Sequence, residues 1–534
     1  MFDKSSKREV GSIQEAPKEE TLFKIEGQNE IPTLPEFKTK EETDIRYALI
    51  APYAYAHIHW DQEKQEVIYE VEEPKLDSKE KEILKILEDG VKELINISFI
   101  SIKEGDTVIR YLEKNIKILL KELGFSLSKD TFLKVMYYIY RDFVGLNEIE
   151  PLISDYFIED IECNGIQSPI YIVHRKYRNI KTNIVFDNVP YLASFVEKLA
   201  QKCGRYVSYA SPLLDGTLPN GFRINATYTA DISSKGPTFT IRQFSKSPWS
   251  PPKMIELGTL SPEILAYLWM LVEHEFNVMV IGGTGSGKTT LLNVLAFFIP
   301  QQARVVSIED TRELAIEHEN WLPSVAREGV GLANMVGQKY GEVTLFDLLK
   351  ESFRQRPDYV IVGEVRGKEA FVLFQGMASG HPSMGTMHAN DVQTLIRRLE
   401  TPPIELSPSL VESMDAVCIM SQAKINGKEV RRLKQVVEII SVPEETGQAQ
   451  VNVLANWEPR TDTFYFKTDS YIFEKLTTQY GFTKEQLNLE FENRTRLLYE
   501  LYKRKIFDYK KVQEVINEYA RSPKKILKDY GIIQ

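Results

Sequence analysis

Gly282-Gly283-Thr284-Gly285-Ser286-Gly287-Lys288-Thr289 is the stretch on which the reading of this chain turns. It satisfies G-x-x-x-x-G-K-[ST], the pattern of a loop that cradles phosphates. Val278-Met279-Val280-Ile281 ahead of it is an apolar run of strand length. Thr290-Leu291-Leu292-Asn293-Val294-Leu295-Ala296-Phe297-Phe298 behind it has helical spacing. A strand, a glycine-rich loop and a helix in that order turn successive backbone N–H groups toward an anion and add the positive end of the helix dipole. Lys288 is then placed to reach the β- and γ-phosphates, and the Thr289 hydroxyl to ligate Mg²⁺. The expected nucleotide-binding residues are Gly282, Gly283, Thr284, Gly285, Ser286, Gly287, Lys288 and Thr289, with Thr290 next in line.

Downstream of the loop the pattern alternates strand and helix. Arg304-Val305-Val306-Ser307-Ile308 ends in Glu309-Asp310, and Tyr359-Val360-Ile361-Val362 ends in Gly363-Glu364. Ser383 to Met387 and Ala416 to Met420 add further strands. Such alternation implies a parallel sheet that binds ligands at the carboxyl ends of its strands. Glu364 stands where it can polarise an attacking water or hold the water shell of Mg²⁺. Glu309 and Asp310, two adjacent acids at a strand end, read as turn residues in isolation and as helpers for metal or water beside a phosphate loop. His381 and His388 are seven residues apart, which suits no metal spacing. The residues alone leave His388 open between a structural role and sensing of the γ-phosphate.

The 534 residues have room for two to four domains, and a hydrophobic content of 43% is that of a chain with real cores. Lys+Arg 66 against Asp+Glu 76 gives a net charge of −10, so the chain as a whole has no nucleic-acid footprint. Cys163, Cys203 and Cys418 are far apart and form no CxxC pair, which indicates neither a zinc ribbon nor a disulfide framework. The N-terminus is polar and charged from Asp3 to Glu20, without a secretory signal pattern, and no apolar run reaches membrane-spanning length.

Upstream, residues 1–42 read as a mobile polar tail. Residues 43–145 read as a region of strands followed by three helices, and 146–245 as an α+β, PAS-like subdomain. Three prolines within Pro248-Trp249-Ser250-Pro251-Pro252 stop both helix and sheet, so 246–254 is expected to be a linker. Residues 255–445 form the expected RecA-like ATPase domain, and 446–534 a mostly helical extension. The fold class expected is α/β: a parallel P-loop sheet domain preceded by an α+β domain and followed by C-terminal helices.

Four segments, GGTGSGKTT, SIEDTREL, YVIVGEVRGKEA and GHPSMGTMHAND, together resemble the Walker A, Asp box, atypical Walker B and His box of the type II/type IV secretion ATPase superfamily. LNEIEPLISDYFIEDIECNG, PIYIVHRKYRNIKTNI and APYAYAHIHW are similar to the N-terminal half of its archaeal branch. The resemblance implies a cytoplasmic, Mg²⁺-dependent ATPase that forms a homo-hexamer. Such a motor is held at the membrane by a polytopic platform protein and drives a type IV pilus-like filament, an archaellum or a secretion apparatus. It implies ATP and Mg²⁺ as ligand and cofactor, with the metal at Thr289 and, directly or through water, at Glu364. The catalytic set it implies is Glu364, Glu309, Asp310 and His388, with Arg223 and Arg242 reaching the nucleotide from the N-terminal domain. The four-cysteine zinc insert of many bacterial members is absent, so no zinc is expected. Two rival classes remain. A nucleic-acid-translocating P-loop ATPase is disfavoured by net acidity and by the lack of a basic-aromatic stripe. A nucleotide-gated scaffold without turnover is disfavoured by the full carboxylate set.

Overall fold

The computed structural model describes residues 21–26, 32, 34, 35, 37–94, 105–243, 248–327, 329, 339–425, 427–443 and 449–533. Residues 1–20 of the expected tail and residues 246 and 247 of the expected linker lie outside them. The chain divides into two compact units, Met1–Phe244 and Ser245–Gln534.

The first unit is built on nine strands: β1 (Asp44–Ile50), β2 (Ala54–Asp61), β3 (Glu66–Glu72), β4 (Ile158–Cys163), β5 (Pro169–His174), β6 (Arg178–Val185), β7 (Leu213–Thr217), β8 (Arg223–Thr227) and β9 (Thr238–Arg242). They form one sheet in the order β1-β2-β3-β6-β5-β4-β9-β8-β7. The regions read separately as 43–145 and 146–245 therefore share a sheet. The joint is the parallel pairing of β3 with β6. There the Asn183 side chain accepts from the Val71 N–H at 2.9 Å and donates to its carbonyl at 3.1 Å, so a side-chain amide extends the ladder. Helices Ser78–Leu94, Gly105–Glu122, Lys129–Ile139 and Val189–Lys202 supply apolar faces to a single core. The tail contributes as well. Phe23 is fully buried beside Tyr53, and the amides of Leu22 and Phe23 donate to the Glu113 carboxylate.

The second unit holds β10 (Val278–Gly282), β11 (Val305–Glu309), β12 (Trp321–Val325), β13 (Tyr359–Val362), β14 (Ser383–Met387), β15 (Ala416–Ile425), β16 (Lys428–Ser441), β17 (Gln450–Glu458) and β18 (Thr463–Phe466). The sheet order is β12-β11-β13-β14-β10-β15-β16-β17-β18. The first six strands in that order run parallel and the rest pair antiparallel. This is the expected α/β, RecA-like arrangement. The central strands are continuous apolar runs because both faces are covered. Val278 and Val280 enter one core, and Met279 and Ile281 enter the other. Residues 446–534 start with β17 and β18, which extend the same sheet, and only then turn helical. Their helix Lys484–Lys503 buries Leu487, Leu497, Leu498 and Leu501 in the core shared with helix Pro262–Glu273. Pro251 and Pro252 do not stop a helix; they begin one, Pro251–Glu256. Proline fits the first helical turn because the N–H it lacks has no partner there. Among the described residues no helix is long and apolar enough to cross a membrane.

Candidate nucleotide site

The phosphate loop leaves β10 between β14 and β15, in the middle of the parallel sheet. Gly287 sits at φ 95° as the N-cap of helix Lys288–Ala296, a left-handed conformation that favours glycine. A Cβ on Gly282 would lie 2.5 Å from both the Met420 carbonyl and Ser286 Oγ, so that position admits no side chain without a shift. Ser286 Oγ and Lys288 Nζ both donate to the Gly283 carbonyl, at 2.8 and 2.9 Å. The loop is thus closed on itself, with its lysine folded across the mouth.

Sheet order then gathers the chemistry. Moving outward from β10, the carboxyl ends of β14, β13 and β11 present His388, Glu364 and Glu309-Asp310 in turn. Lys288 Nζ lies 3.4 Å from His388 Nδ1, and His388 Nε2 lies 3.0 Å from Glu364 Oε1. An ammonium only donates, so we assign Nδ1 as the acceptor and Nε2 as the nitrogen carrying the proton. Arg366 Nη2 donates to Glu364 Oε2 at 2.5 Å, and Arg366 Nη1 is 3.6 Å from Asp310 Oδ2. The result is a connected row, Lys288–His388–Glu364–Arg366–Asp310, of alternating character. Burial pushes the Glu364 carboxyl up, but Arg366, His388 and Lys288 outweigh it and hold the group below the usual carboxylate range. Burial and Lys288 hold the His388 imidazole below its ordinary value against the pull of Glu364, which favours the neutral ring. Burial likewise lowers Lys288, opposed by Glu364 and Glu313.

Glu309 behaves differently from its neighbour Asp310. It is 1% exposed, and its Oε1 accepts from the amides of Glu313 and Leu314 at 2.8 and 2.9 Å. Its Oε2 is buried without a partner. Burial pushes this carboxyl from 4.5 up to about 7, against the lowering effect of the two amides. Between those values the folded chain holds a proton that the unfolded chain has released. Stability therefore falls as pH rises from about 4.5 through about 7. Glu309→Gln keeps the acceptor for both amides and has no proton to lose. Its loss of unfolding free energy between pH 5 and 8 should be smaller than the parent's by on the order of 2–3 kcal/mol. Urea midpoints at the two pH values measure this, and equal pH dependence in the two proteins would exclude a neutral, buried Glu309.

The two histidines of GHPSMGTMHAND part company. His381 precedes β14 and packs edge-on against Phe353, while His388 follows the strand at the phosphate loop. About five residues of strand, roughly 16 Å, separate them. Thr386, buried on β14, donates to the Gly363 carbonyl at 2.6 Å and so ties the His388 strand to the Glu364 strand. Arg398 was not foreseen. It donates to the His388 carbonyl at 2.6 Å and lines a cleft of about 670 Å³ with Thr284, Glu364, Arg366 and His388. It lies in the last turn of the helix Val392–Glu400, which Asp391 caps.

Arg223 and Arg242 lie in the first unit, directly opposite each other on β8 and β9. Two like charges opposite each other in a ladder repel. Asp215 answers Arg223 at 3.0 Å, and Asp160 answers Arg242 at 2.9 Å. The pair forms a doubly charged patch held by flanking acids.

The loop suits a phosphate chain and magnesium. Gly283 has open space around it, Thr289 follows Lys288 in the first helical turn, and the carboxylates of Glu364 and Asp310 complete a set of oxygen donors. Oxygen is the donor magnesium prefers.

The family model "Type II/IV secretion system protein" matches residues 144–450. An uncharacterized protein of Methanocaldococcus jannaschii is 37% identical over 413 residues, 77% of this chain and 72% of its own. A second uncharacterized protein of that organism is 40% identical over 48% of this chain and 92% of its own. A putative conjugal transfer protein of Mycobacterium tuberculosis is 31% identical over 41% of this chain and 62% of its own. Among solved structures, the pilus retraction motor PilT with bound ADP covers 65% of this chain and 90% of its own, at 17% identity and a TM-score of 0.37.

Proposed function

Because the chain belongs to the type II/IV secretion system protein family, we propose that it is a Mg²⁺-dependent ATPase working as a homo-hexameric motor in an archaeon. Its output would be assembly or movement of a type IV pilus-like filament, an archaellum or a secretion apparatus. It would work at the cytoplasmic face of the membrane, docked on a polytopic platform protein. The observation that carries the reading is the row from Lys288 through His388 to Glu364 at the mouth of the phosphate loop. Magnesium, when bound, would neutralise charge on the β- and γ-phosphates. Lys288 and the loop amides bind phosphate, and the Thr289 hydroxyl holds the metal. Glu364 orients the attacking water, since a carboxylate held below its usual range is a poor proton acceptor but a strong hydrogen-bond acceptor. Asp310 supports the site through Arg366, and Glu309 fixes the loop to Leu314. His388 lies between Lys288 and Glu364, so it reports the state of the γ-phosphate to both.

Phosphoryl transfer commonly needs an added cation. We assign that role to Arg223 and Arg242, contributed in trans. Arg223→Ala or Arg242→Ala should then cut ATPase strongly while the fold is kept. Mixed with Glu364→Gln protein, itself inactive, either variant should recover turnover wherever an intact phosphate loop meets intact arginines. Rings shown to contain both variants yet still inactive would sink the assignment in trans. Steady-state phosphate release tests the ATPase itself, and strong stimulation by DNA would favour the nucleic-acid translocase instead.

A further inference from the structure

Strands β1–β3 carry a cluster of side chains that the nucleotide chemistry does not use. His57 and His59 are two residues apart on β2, so both stand on one face. Ala56 and Ile58, on the other, are fully buried in the core. Across the ladders His57 faces Glu70 on β3, and His59 faces Asp44 on β1. The two imidazoles are 4.5 Å apart between ring centres. One ring nitrogen from each and a carboxylate oxygen of Glu70 all lie within 4.8 Å of one another. His57 Nε2 is 2.8 Å from Asp44 Oδ1, and its Nδ1 is 3.6 Å from Glu72 Oε1. His59 Nδ1 is shut off from solvent and has no hydrogen-bond partner. A polar nitrogen is seldom left in that state, and a lone pair so placed is what a metal ion uses.

We propose that His57, His59 and Glu70 hold a divalent transition-metal ion on this face. Zinc is the ion that two imidazoles and a carboxylate suit best. The carboxylates of Asp44 and Glu72, both already beside His57, supply a fourth ligand or accept from the ring nitrogen left over, which fixes the imidazole's orientation. The ligand set is unrelated to the four-cysteine insert whose absence argued against zinc. A bound ion would clamp β2 to β3.

The test uses the full-length chain without an affinity tag, stripped with a chelator and saturated with Mg-ADP so that the cleft at His388 is filled. Zn²⁺ titrated against a chromophoric competitor should bind at one equivalent with a Kd of about 10 µM or tighter, and should raise Tm. Co²⁺ in its place should give the intense visible bands of a four-coordinate site. His57→Gln, His59→Gln and Glu70→Gln should each weaken Zn²⁺ binding about tenfold or more and remove the rise in Tm. Phosphate release by the stripped protein should be unchanged in all three. A parent chain that binds no Zn²⁺ at about 100 µM, or gives only the weak spectrum of hydrated Co²⁺, would overturn the proposal without reference to any variant. Full affinity retained in His59→Gln would overturn it too.

Discussion

Glu364→Gln is expected to bind ATP as the parent chain does and to hydrolyse it roughly 10²–10⁴-fold more slowly. The substitution keeps the shape of the side chain at the end of β13 and removes its charge. In the native site that charge is shared by Arg366 at 2.5 Å and His388 at 3.0 Å, with Lys288 behind the histidine. Burial pushes the carboxyl up, but the Arg366 guanidinium, the His388 ring N–H and the Lys288 ammonium outweigh it and hold the group below the usual carboxylate range. A Gln at this position can hold Arg366 through its carbonyl, so the cleft keeps its form. It accepts more weakly from a water and does not hold the water shell of a metal ion. The loss should appear in kcat with little change in nucleotide affinity, the pattern of a group that acts in the transition state. Nucleotide binding measured by fluorescence and turnover measured by phosphate release separate the two effects. If binding vanishes while the remaining turnover is near normal, Glu364 is a structural residue.

How much of this site could be read from the sequence depended on how local the signal was. The phosphate loop and its flanking strand and helix are encoded within about twenty consecutive residues by glycine placement and by a change of period. Glu364 and His388 were legible for a related reason. Glu364 follows the apolar run Tyr359 to Val362 and His388 follows the strand segment Ser383 to Met387, and in a parallel sheet the ends of such strands meet on one edge. What the residues alone left open was the role of His388, because chain position does not show that its ring nitrogens meet Lys288 and Glu364. The inward turn of Glu309 was hidden as well, since its partners are backbone amides that any sequence would offer. The edge strands β7 and β12 were missed for want of composition. β7 (Leu-Leu-Asp-Gly-Thr) has no β-branched core and exists by pairing with β8, while β12 carries Pro323, tolerated only because β12 is at the sheet edge. The docking of Phe23 and the bridging amide of Asn183 join residues about ninety and 112 positions apart, beyond the reach of any periodicity.

Lys288→Ala should reduce ATP turnover to background and weaken nucleotide binding as well, which sets it apart from Glu364→Gln. Lys288 opens the helix that follows the loop, and its side chain is mostly buried. Its ammonium rests on the Gly283 carbonyl at 2.9 Å and against His388 Nδ1 at 3.4 Å. Both contacts are within the loop's own neighbourhood, so a phosphate oxygen arriving there meets a cation already partly stripped of water. Burial lowers the lysine's proton affinity, and Glu364 and Glu313 pull the other way. A charge-assisted bond made in such a place is worth more than one made in water. Alanine removes that bond and leaves His388 Nδ1 without its donor, so Glu364 also loses the arrangement that reaches it through the ring. Ground state and transition state are both affected, and affinity and kcat should fall together. The fold should survive, because among the described residues the hydrogen bonds of the Lys288 ammonium go to Gly283 and His388, and the helix it begins is held by Leu291, Leu292 and Leu295 in the core. Far-UV circular dichroism and the Tm in the absence of nucleotide check that point. Normal steady-state phosphate release by a folded Lys288→Ala protein would mean that the nucleotide is hydrolysed somewhere other than this loop.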